Sequence, residues 1–146
     1  MASFRGSFTH TIDHKGRVSI PARLRPKLTG NTDEPFVVSR GFETCIALYP
    51  ADEFRRLDER LRARSFADET NRRWQRMMLS ESRDETLDAQ GRVTLPPRLI
   101  AHAQLTKDVL VVGLSDHIEL WNPELWEKYL QSSTRTYEEI AGELLL

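Results

Sequence analysis

Polar and apolar residues alternate in two short runs of the chain, and this period of two predicts half-buried β-strands. The runs are residues 17–20 (RVSI) and residues 92–95 (RVTL). A glycine precedes each run and a proline follows it, and both residue types favour turns at strand ends. The pattern therefore predicts two short strands, each with a tight turn beside it.

Around these strands, the pattern predicts further elements in the same order in both halves of the chain. A short helix follows each proline, and two more strands follow each helix: helices at 22–28 and 98–103, strands at 36–39, 45–49, 109–112 and 118–121. The turn between the later strands contains Gly41 in the first half and Gly113 in the second. Amphipathic helices are predicted after Pro50, after Asn122, between the halves at 68–79 and in the tail at 137–145.

The same amino acids recur at a fixed spacing, which identifies an internal repeat. Residues 13–24 (DHKGRVSIPARL) match residues 88–99 (DAQGRVTLPPRL) at seven of twelve positions. The similarity continues between residues 36–50 and residues 109–122. Because the matching segments keep their order in each half, the chain consists of two copies of one unit.

One unit alone is too small to close a hydrophobic core, since its strands are short. Two units can pair their strands into one small barrel, which removes exposed sheet edges. The duplication therefore predicts a pseudo-dimer within a single chain.

The composition limits the class of protein. The chain has 146 residues, 39% apolar and 29% charged, as expected for one soluble domain or two very small ones. The single cysteine, Cys45, excludes a framework of internal disulfides. No run of residues is long and apolar enough to cross a membrane, and the first ten residues lack the apolar core of a signal peptide. We therefore expect a cytoplasmic protein with no membrane partner.

The net charge of −1 conceals an uneven distribution of charge. Residues 1–76 carry a net charge of +5, and residues 77–146 a net charge of −6. The basic excess lies in the first 27 residues, where six basic side chains accompany one aspartate: Arg5, Lys15, Arg17, Arg23, Arg25 and Lys27. Such asymmetry arises by chance in some chains, but it also allows a local basic surface that binds an anionic partner.

The sequence contains no constellation of residues that indicates catalysis. His10 and His14 lie four residues apart, but their segment is predicted as strand and turn, and Ala89 replaces His14 in the second copy. Cys45 lies in a predicted strand, which favours a small buried residue over a reactive thiol. We expect a protein that is not an enzyme and that has no metal, cofactor or small-molecule ligand.

The repeated Asp-x-x-Gly-Arg motif allows two interpretations. In the structural one, a salt bridge and backbone hydrogen bonds fix the turn, with Asp13 bound to Arg17 and the same pairing in the second copy. In the functional one, the loop presents its arginine to phosphates and guanine edges, since a planar guanidinium donates two hydrogen bonds to one acceptor pair. Basic neighbours such as Lys15 favour DNA binding by the first copy. Acidic neighbours favour a structural role for the second.

The two motifs, DHKGRVSIPARLR and DAQGRVTLPPRLI, resemble those of the MraZ family of bacterial transcriptional regulators. The stretches FRGSFTHTIDHKGR, RGFETCIALYP, RRWQRMML and LTKDVLVVGLSDHIELWNPELWEKY extend the resemblance over about residues 4–130. It implies an α+β, mainly β fold, in which tandem AbrB-like repeats form a swapped-hairpin (double-split) β-barrel with flanking helices. The implied boundaries are 4–51 for the first repeat, 52–80 for the interrepeat helices, 81–124 for the second repeat and 125–146 for a C-terminal helical region.

The resemblance also implies a function. Members of the family form closed rings and bind direct repeats with TGGG-type steps in double-stranded DNA upstream of division and cell-wall genes, usually as repressors. The implied DNA-binding residues of this chain are Arg17, Lys15, Arg5, Arg23 and Arg25. The implied structural residues of the motifs are Asp13, Gly16, Asp88, Gly91 and Arg92. We accordingly expect a homo-oligomer associated with the nucleoid.

Two other classes of protein remain open. An AbrB-like interaction module, such as an antitoxin, usually has one barrel half and a disordered tail for its toxin. The two fused units, and the lack of a polar low-complexity tail, count against that class. An enzyme would need the catalytic constellation that the sequence lacks.

Overall fold

The computed structural model describes residues 3–145, which form eight β-strands and six α-helices. In chain order these are β1 (Phe4–Thr11), β2 (Arg17–Ser19), α1 (Arg25–Thr29), β3 (Phe36–Arg40), β4 (Cys45–Tyr49), α2 (Ala51–Arg62), α3 (Glu69–Glu81), β5 (Arg83–Glu85), β6 (Arg92–Thr94), α4 (Pro97–Ala103), β7 (Asp108–Ser115), β8 (His117–Trp121), α5 (Pro123–Gln131) and α6 (Tyr137–Leu145). The mixture of helices and strands confirms the α+β class. The expectation of a mainly β fold is wrong, because the helices contain more of the described residues than the strands.

All strand pairs are antiparallel, and they form one six-stranded and one two-stranded sheet. The six strands lie in the order β1-β7-β8-β4-β3-β5, and β2 pairs with β6. The first strand of each repeat pairs with a strand of the other repeat, β1 with β7 and β5 with β3. The two repeats thus exchange strands around a centre at which β4 pairs with β8.

The exchange of strands agrees with the expected pseudo-dimer, but a closed barrel is not found. Among residues 3–145, β1 and β5 are the edge strands of the larger sheet, and β2 and β6 form a separate ribbon. One isolated bridge, between Ile12 and Val18, lies where the chain passes from β1 to β2. The strands therefore form two hydrogen-bonded sheets.

The two repeats share one hydrophobic core. Equivalent positions contribute to it in pairs, such as Val18 with Val93 and Ile20 with Leu95, and each of these side chains is at most 2% exposed. Val18 lies directly opposite Val93 in the ribbon, so the alternation of polar and apolar residues turns both valines towards the core. Each repeat therefore depends on the other for a complete core.

Helices cover the face of the larger sheet that is turned away from this core. The helices α2 and α3 pack against β3, and α5 packs against β7. Under α5, the side chains of Cys45 and Trp121 form a smaller apolar cluster with Leu125 and Trp126. Cys45 is fully buried, as predicted. None of the helices described in residues 3–145 has the length and apolar character needed to cross a membrane.

The first short helix begins later than predicted. The sequence indicated a helix at 22–28, whereas α1 begins at Arg25. The residues before it form a turn, in which the amide of Leu24 donates to the carbonyl oxygen of Pro21 at 2.9 Å. Pro26 occupies the first turn of α1, where a missing N–H breaks no helical hydrogen bond.

The predicted turn at Gly113 is wrong, because Gly113 lies inside β7. It pairs with Gly6 of β1, and a Cβ atom at Gly113 would lie 2.5 Å from the backbone nitrogen of Arg5. This glycine therefore permits the close approach of a strand from the other repeat. The chain reverses direction later, next to Ser115, whose φ is 56°.

Candidate nucleic-acid interface

The first Asp-x-x-Gly-Arg loop joins β1 to β2 and is held by the carboxylate of Asp13. Its Oδ1 accepts hydrogen bonds from the backbone amides of Lys15 (3.0 Å) and Arg17 (2.9 Å), and its Oδ2 accepts one from Nε of Arg17 (2.7 Å). These bonds, above all the one from the Arg17 amide, lower the pKa of Asp13 to about 2. A charged Asp13 thus fixes both the loop backbone and the arginine side chain.

The second loop, between β5 and β6, has the same geometry. Oδ1 of Asp88 accepts hydrogen bonds from the backbone amides of Gln90 and Arg92, both at 2.9 Å, and Oδ2 accepts one from Nε of Arg92 at 2.8 Å. The Arg92 amide contributes most to lowering the pKa of Asp88 below its ordinary value. An aspartate therefore locks an arginine in each repeat.

Gly16 and Gly91 let the loops turn and also join the two repeats. Their φ angles are +76° and +77°, in the left-handed region that favours glycine. The carbonyl oxygen of Gly16 accepts a hydrogen bond from the amide of Leu95 at 2.8 Å, and that of Gly91 accepts one from the amide of Ile20 at 2.9 Å. Each loop is thus hydrogen-bonded to the end of a strand in the other repeat.

The ribbon of β2 and β6 brings both loop arginines to one surface. Arg17 lies opposite Thr94, and Ser19 lies opposite Arg92. Because side chains alternate between the faces of a strand, these four residues share the outer face of the ribbon, and the valines between them face the core. This outer face is called the ribbon face below. The side chains of Arg17 and Arg92 are each 26% exposed there.

Both loop arginines keep hydrogen-bonding groups for a ligand. Each guanidinium is bound through Nε to its own aspartate, and neither terminal amino group of Arg17 or Arg92 makes a hydrogen bond within residues 3–145. The outer edge of each guanidinium therefore offers two parallel N–H groups in a fixed direction. In the sequence, the acidic neighbours of the second motif favour a purely structural role for Arg92. The repeated motif is the signal that could have placed Arg92 beside Arg17. These two arginines occupy equivalent positions in β2 and β6, and equivalent positions of these paired strands lie on the same face of the ribbon.

Arg25, of the first repeat, packs against Gly91 of the second loop. Its Nε donates to the carbonyl oxygen of Ile20 at 2.7 Å, and its guanidinium occupies the space where a side chain at Gly91 would begin. In the equivalent place of the other repeat, Cδ1 of Ile100 lies 3.1 Å from the position of a Cβ atom at Gly16. Each loop glycine is therefore covered by a residue of the opposite repeat, an arginine in one case and an isoleucine in the other.

Lys15 and Arg23 are exposed basic residues of the first repeat. Lys15 lies in the first loop and contributes its backbone amide to the bond with Asp13. The guanidinium carbon of Arg23 lies 6.0 Å from the centre of the Phe8 ring, at the outer limit of a cation–π contact. Both side chains are accessible to an anionic partner.

Arg5 is not brought to the loop by the fold. It lies near the start of β1, where its Nη2 donates to the hydroxyl of Ser3 at 3.1 Å. The loop begins at the other end of this strand, about 20 Å further along the backbone at about 3.3 Å per residue. A partner that contacts both Arg5 and Arg17 would have to extend over that length.

The described residues contain no group of three or more His, Cys, Asp and Glu side chains that could hold a metal ion.

Two histidines and the cysteine have partners or surroundings within the fold. Nε2 of His102 lies 2.9 Å from the carbonyl oxygen of Glu43, and His117 lies between the carboxylates of Asp116 and Glu119. Burial raises the pKa of Cys45 far above its usual range, so its side chain remains a thiol.

The fold and the ribbon face define a class of protein: tandem α+β repeats that exchange strands and hold two arginine loops on one surface. A family model described as "MraZ protein, putative antitoxin-like" matches residues 3–77 and again residues 78–145, with the boundary inside α3. The chain belongs to the MraZ family, which confirms the resemblance found in the two motifs.

Curated relatives match nearly the whole chain. The chain is 39% identical over 142 residues to the transcriptional regulator MraZ of Heliobacterium modesticaldum and, equally, to that of Natranaerobius thermophilus. Each match covers 97% of this chain and 96% of the relative. The transcriptional regulator MraZ of Pediococcus pentosaceus is 35% identical over the same length and the same shares of both chains.

Proposed function

We propose that this protein is a transcriptional regulator that binds specific double-stranded DNA through the ribbon face. Membership in a family whose curated relatives are named transcriptional regulators supports a role in regulation. The proposed target is a set of direct repeats with TGGG-type steps in the promoter of division and cell-wall genes. The protein represses these genes as a ring-shaped homo-oligomer, in the cytoplasm at the nucleoid, and performs no catalysis.

The observation that carries this proposal is the pair of aspartate-locked arginines on one face. The major groove of B-DNA is about 12 Å wide and admits a two-stranded β-ribbon. Guanine presents two acceptors there, O6 and N7, which match the two parallel donors of one guanidinium. Because Asp13 and Asp88 already fix the side chains of Arg17 and Arg92, little conformational entropy is lost when the arginines bind.

Basic side chains around the ribbon supply contacts to phosphates in this proposal. Lys15 and Arg23 are exposed and can reach a backbone that passes the first loop. Arg25 contributes its charge next to the second loop, and Arg5 contacts a more distant part of the duplex. Phosphate contacts orient the protein on DNA and make binding weaker as salt increases.

Several copies are needed, because one ribbon offers only two arginines to the bases. A good arginine–guanine pair provides about 1–3 kcal/mol of discrimination against other bases. An oligomer that places ribbons on successive repeats raises the effective concentration for each further contact. Direct repeats spaced by about 10 bp, one helical turn, would present equal faces to successive copies.

Binding to a duplex with TGGG-type direct repeats, measured against a scrambled duplex over a salt series, tests the proposal. The wild-type protein is expected to prefer the repeats, and Arg17→Ala to bind them about 10- to 100-fold more weakly with an unchanged oligomer mass. The control is Arg62→Ala, which removes an exposed arginine of α2 whose one ion pair within residues 3–145 is with Asp58. Equal, weak binding of both duplexes by the wild type would contradict DNA reading. Disassembly of Arg17→Ala would show that this arginine is structural.

The second loop is tested by Arg92→Ala on the same duplexes. Since Arg92 has the same geometry and shares the ribbon face with Arg17, its loss is expected to weaken repeat binding by a similar factor. Thermal melting of both variants provides the control for folding. If Arg92→Ala lowers the melting temperature but leaves DNA affinity unchanged, the second motif is structural only.

A second candidate function is an interaction module that binds a toxin protein, and the words "antitoxin-like" in the description of the family model favour it. Co-purification of the wild type with a second small protein at fixed stoichiometry, together with no preference for the repeats, would support this alternative.

A further inference from the structure

The two Asp-x-x-Gly-Arg loops differ at their tips, although their backbones are held alike. In the first loop, the amide of Gly16 donates to the carbonyl oxygen of Asp13 at 3.0 Å. In the second, the amide of Gly91 donates to the carbonyl oxygen of Asp88, also at 3.0 Å. Each bond closes a β-turn, so the two central residues of the turn form the tip of the loop. These tip residues are His14 and Lys15 in the first loop, and Ala89 and Gln90 in the second.

The ribbon face has an approximate two-fold axis, and the loop tips lie at its opposite ends. The strands β2 and β6 are antiparallel, with Val18 opposite Val93 and the equivalent residues of the two repeats exchanged about this pair. Two-fold symmetric proteins match palindromic DNA, because the backbones of the duplex have the same symmetry. If the two loop arginines were its only contacts, the ribbon would therefore fit the major groove equally well in two opposite directions.

Direct repeats require one direction, so the residues that differ between the two ends must choose it. At the second loop, the guanidinium of Arg25 packs against Gly91 and is held there by the carbonyl oxygen of Ile20. At the first loop, the equivalent place is taken by Ile100, which has no charge, and Lys15 supplies a cation at the tip itself. Both ends thus have a cation near the loop arginine, and the tip of the second loop is left uncharged.

Gln90 has the position and the chemical groups to recognise a base. It is exposed, and its side-chain amide makes no hydrogen bond within residues 3–145. The backbone amides of Gln90 and Arg92 both donate to Oδ1 of Asp88 at 2.9 Å, so the loop holds Gln90 next to Arg92. A glutamine amide has a donor and an acceptor side by side, which match N7 and N6 of adenine in the major groove. Lys15 has only donors and cannot form this pair.

We propose that Gln90 recognises an adenine in the major groove and thereby sets the direction in which the ribbon lies on the duplex. Since a duplex rises about 3.4 Å per base pair, this adenine lies within about two base pairs of the base that Arg92 contacts. A ribbon placed in the opposite direction presents Lys15 to the adenine and loses the pair of hydrogen bonds. The inference rests on the proposed function, in which the ribbon face enters the major groove.

A base-pair scan provides the first test. Each position of a TGGG-type repeat and its flanks is changed in turn to the other three base pairs, and the affinities of the wild type and Gln90→Ala are compared. The wild type is expected to lose about 10-fold in affinity when one particular A·T pair is replaced. Gln90→Ala is expected to bind the original duplex about 10-fold more weakly and to accept any base pair at that position.

Two controls accompany the scan. Gln131→Ala removes an exposed glutamine at the end of α5 and should keep the wild-type affinities. Because the side chain of Gln90 is exposed and makes no hydrogen bond within residues 3–145, the melting temperature of Gln90→Ala should equal that of the wild type.

A change of base preference provides the second test. Glutamate has only acceptors and pairs with N4 of cytosine, so Gln90→Glu is expected to prefer C·G to A·T at the same position. Its negative charge weakens binding to all duplexes, but a loop that is merely disturbed does not acquire a new preference at one position. An adenine preference that persists in Gln90→Ala or in Gln90→Glu would overturn the proposal.

Directed cleavage of DNA provides the third test. Because Cys45 is fully buried, His14→Cys places an accessible thiol at the tip of the first loop, to which an iron chelate that cuts DNA can be attached. On a duplex with one repeat, the labelled protein is expected to cut on one side of the repeat. When Gln90→Lys is added, the tips carry the same basic residue, and cuts are expected on both sides. Cuts on both sides with Gln90 present, or on one side with Gln90→Lys, would overturn its role in direction.

The same measurements separate this inference from the proposed function. If the wild type prefers the repeats through Arg17 but Gln90→Ala keeps the wild-type preference at every position, the DNA function stands and the role of Gln90 is wrong. If the wild type binds the repeats and a scrambled duplex equally, both are wrong.

Discussion

Each loop aspartate accepts hydrogen bonds from two backbone amides and one guanidinium, so a single carboxylate fixes the turn and directs the arginine. The sequence predicted this lock, because it depends on residues four apart around a glycine. It did not predict that Arg25 covers Gly91, since that contact joins different repeats and arises only when β2 pairs with β6. Local contacts of the site could thus be predicted from the motif, whereas contacts between motifs could not.

Protonation of Asp13 is expected to weaken the fold in acid. Its pKa is about 2 in the folded protein against an ordinary value of 3.8, so its stabilising contribution is present above about pH 4 and is lost as the pH falls through about 2. Asp13→Asn should therefore lower the free energy of unfolding at neutral pH, with a difference from wild type that shrinks as the pH falls from about 4 through about 2. Urea unfolding over this range measures it, and a difference that stays constant with pH would contradict the assignment.

Gly91→Ala is expected to destabilise the protein more than Gly30→Ala. Both glycines have positive φ angles, +77° and +64°, so either alanine adds about 1–2 kcal/mol of backbone strain. Only at Gly91 would the new Cβ displace the guanidinium of Arg25, whereas the space beside Gly30 is open. Urea unfolding should show an additional loss of about 1 kcal/mol for Gly91→Ala, from the broken bond of Arg25 to Ile20. The additional loss should disappear in an Arg25→Ala background.

At the scale of the strands and helices, the alternation of polar and apolar residues and the helical periodicity predicted the bounds of an element well where its apolar residues lie on the buried side. The strand at Cys45–Tyr49 and the helix at Tyr137–Leu145 have the predicted bounds. The strand β5 has the sequence Arg-Asp-Glu, which carries no apolar residue, and it exists because β3 offers it hydrogen-bonding partners. The predicted turn at Gly113 is wrong for the same reason. This glycine permits the close approach of β1, a strand that is distant in sequence. Elements that depend on tertiary partners leave no local pattern.

Asn122→Ala is expected to lower the free energy of unfolding by about 1–2 kcal/mol, because Asn122 caps α5. Its Oδ1 accepts hydrogen bonds from the amides of Glu124 (2.9 Å) and Leu125 (3.4 Å), and its Nδ2 donates to the carbonyl oxygen of Gln104 (2.8 Å). Asn122→Asp keeps the cap and removes the donor, so it should recover most of the loss. Urea unfolding of both variants measures this, and equal losses would show that the bond to Gln104 is the important one.

At the scale of the whole molecule, the duplication predicted that each unit needs the other for a complete hydrophobic core. The exchange of strands between the two repeats agrees with this prediction. Both outer pairs of the larger sheet, β1 with β7 and β3 with β5, join different repeats. The predicted barrel is not confirmed, since no closed barrel is found among the described strands. Sequence periodicity indicates which side of a strand is buried but not whether the sheet edges meet. The family could be recognised from the two motifs in the sequence. Only the structure shows that the arginines of both motifs lie on one face of the ribbon.

Neither half of the chain is expected to fold as a monomer. Fragments 1–82 and 83–146 each lose the strand partners and core residues that the other supplies. Circular dichroism with sedimentation should find each fragment unfolded or self-associated, and an equimolar mixture should recover the spectrum of the intact chain. A folded, monomeric half would contradict the shared core.

The distance along the chain between β1 and β7 has a consequence for synthesis of the protein. About 100 residues separate the starts of these partners, so at about 5–20 residues per second the ribosome delivers β7 roughly 5–20 s after β1. During this interval the first repeat is attached to the ribosome with its pairing edge exposed. Neighbouring nascent chains on one messenger RNA have the same exposed edge at β1, and each of them also lacks its β7. A translational pause between the repeats therefore lengthens the exposure and favours exchange of halves between chains over closure within one.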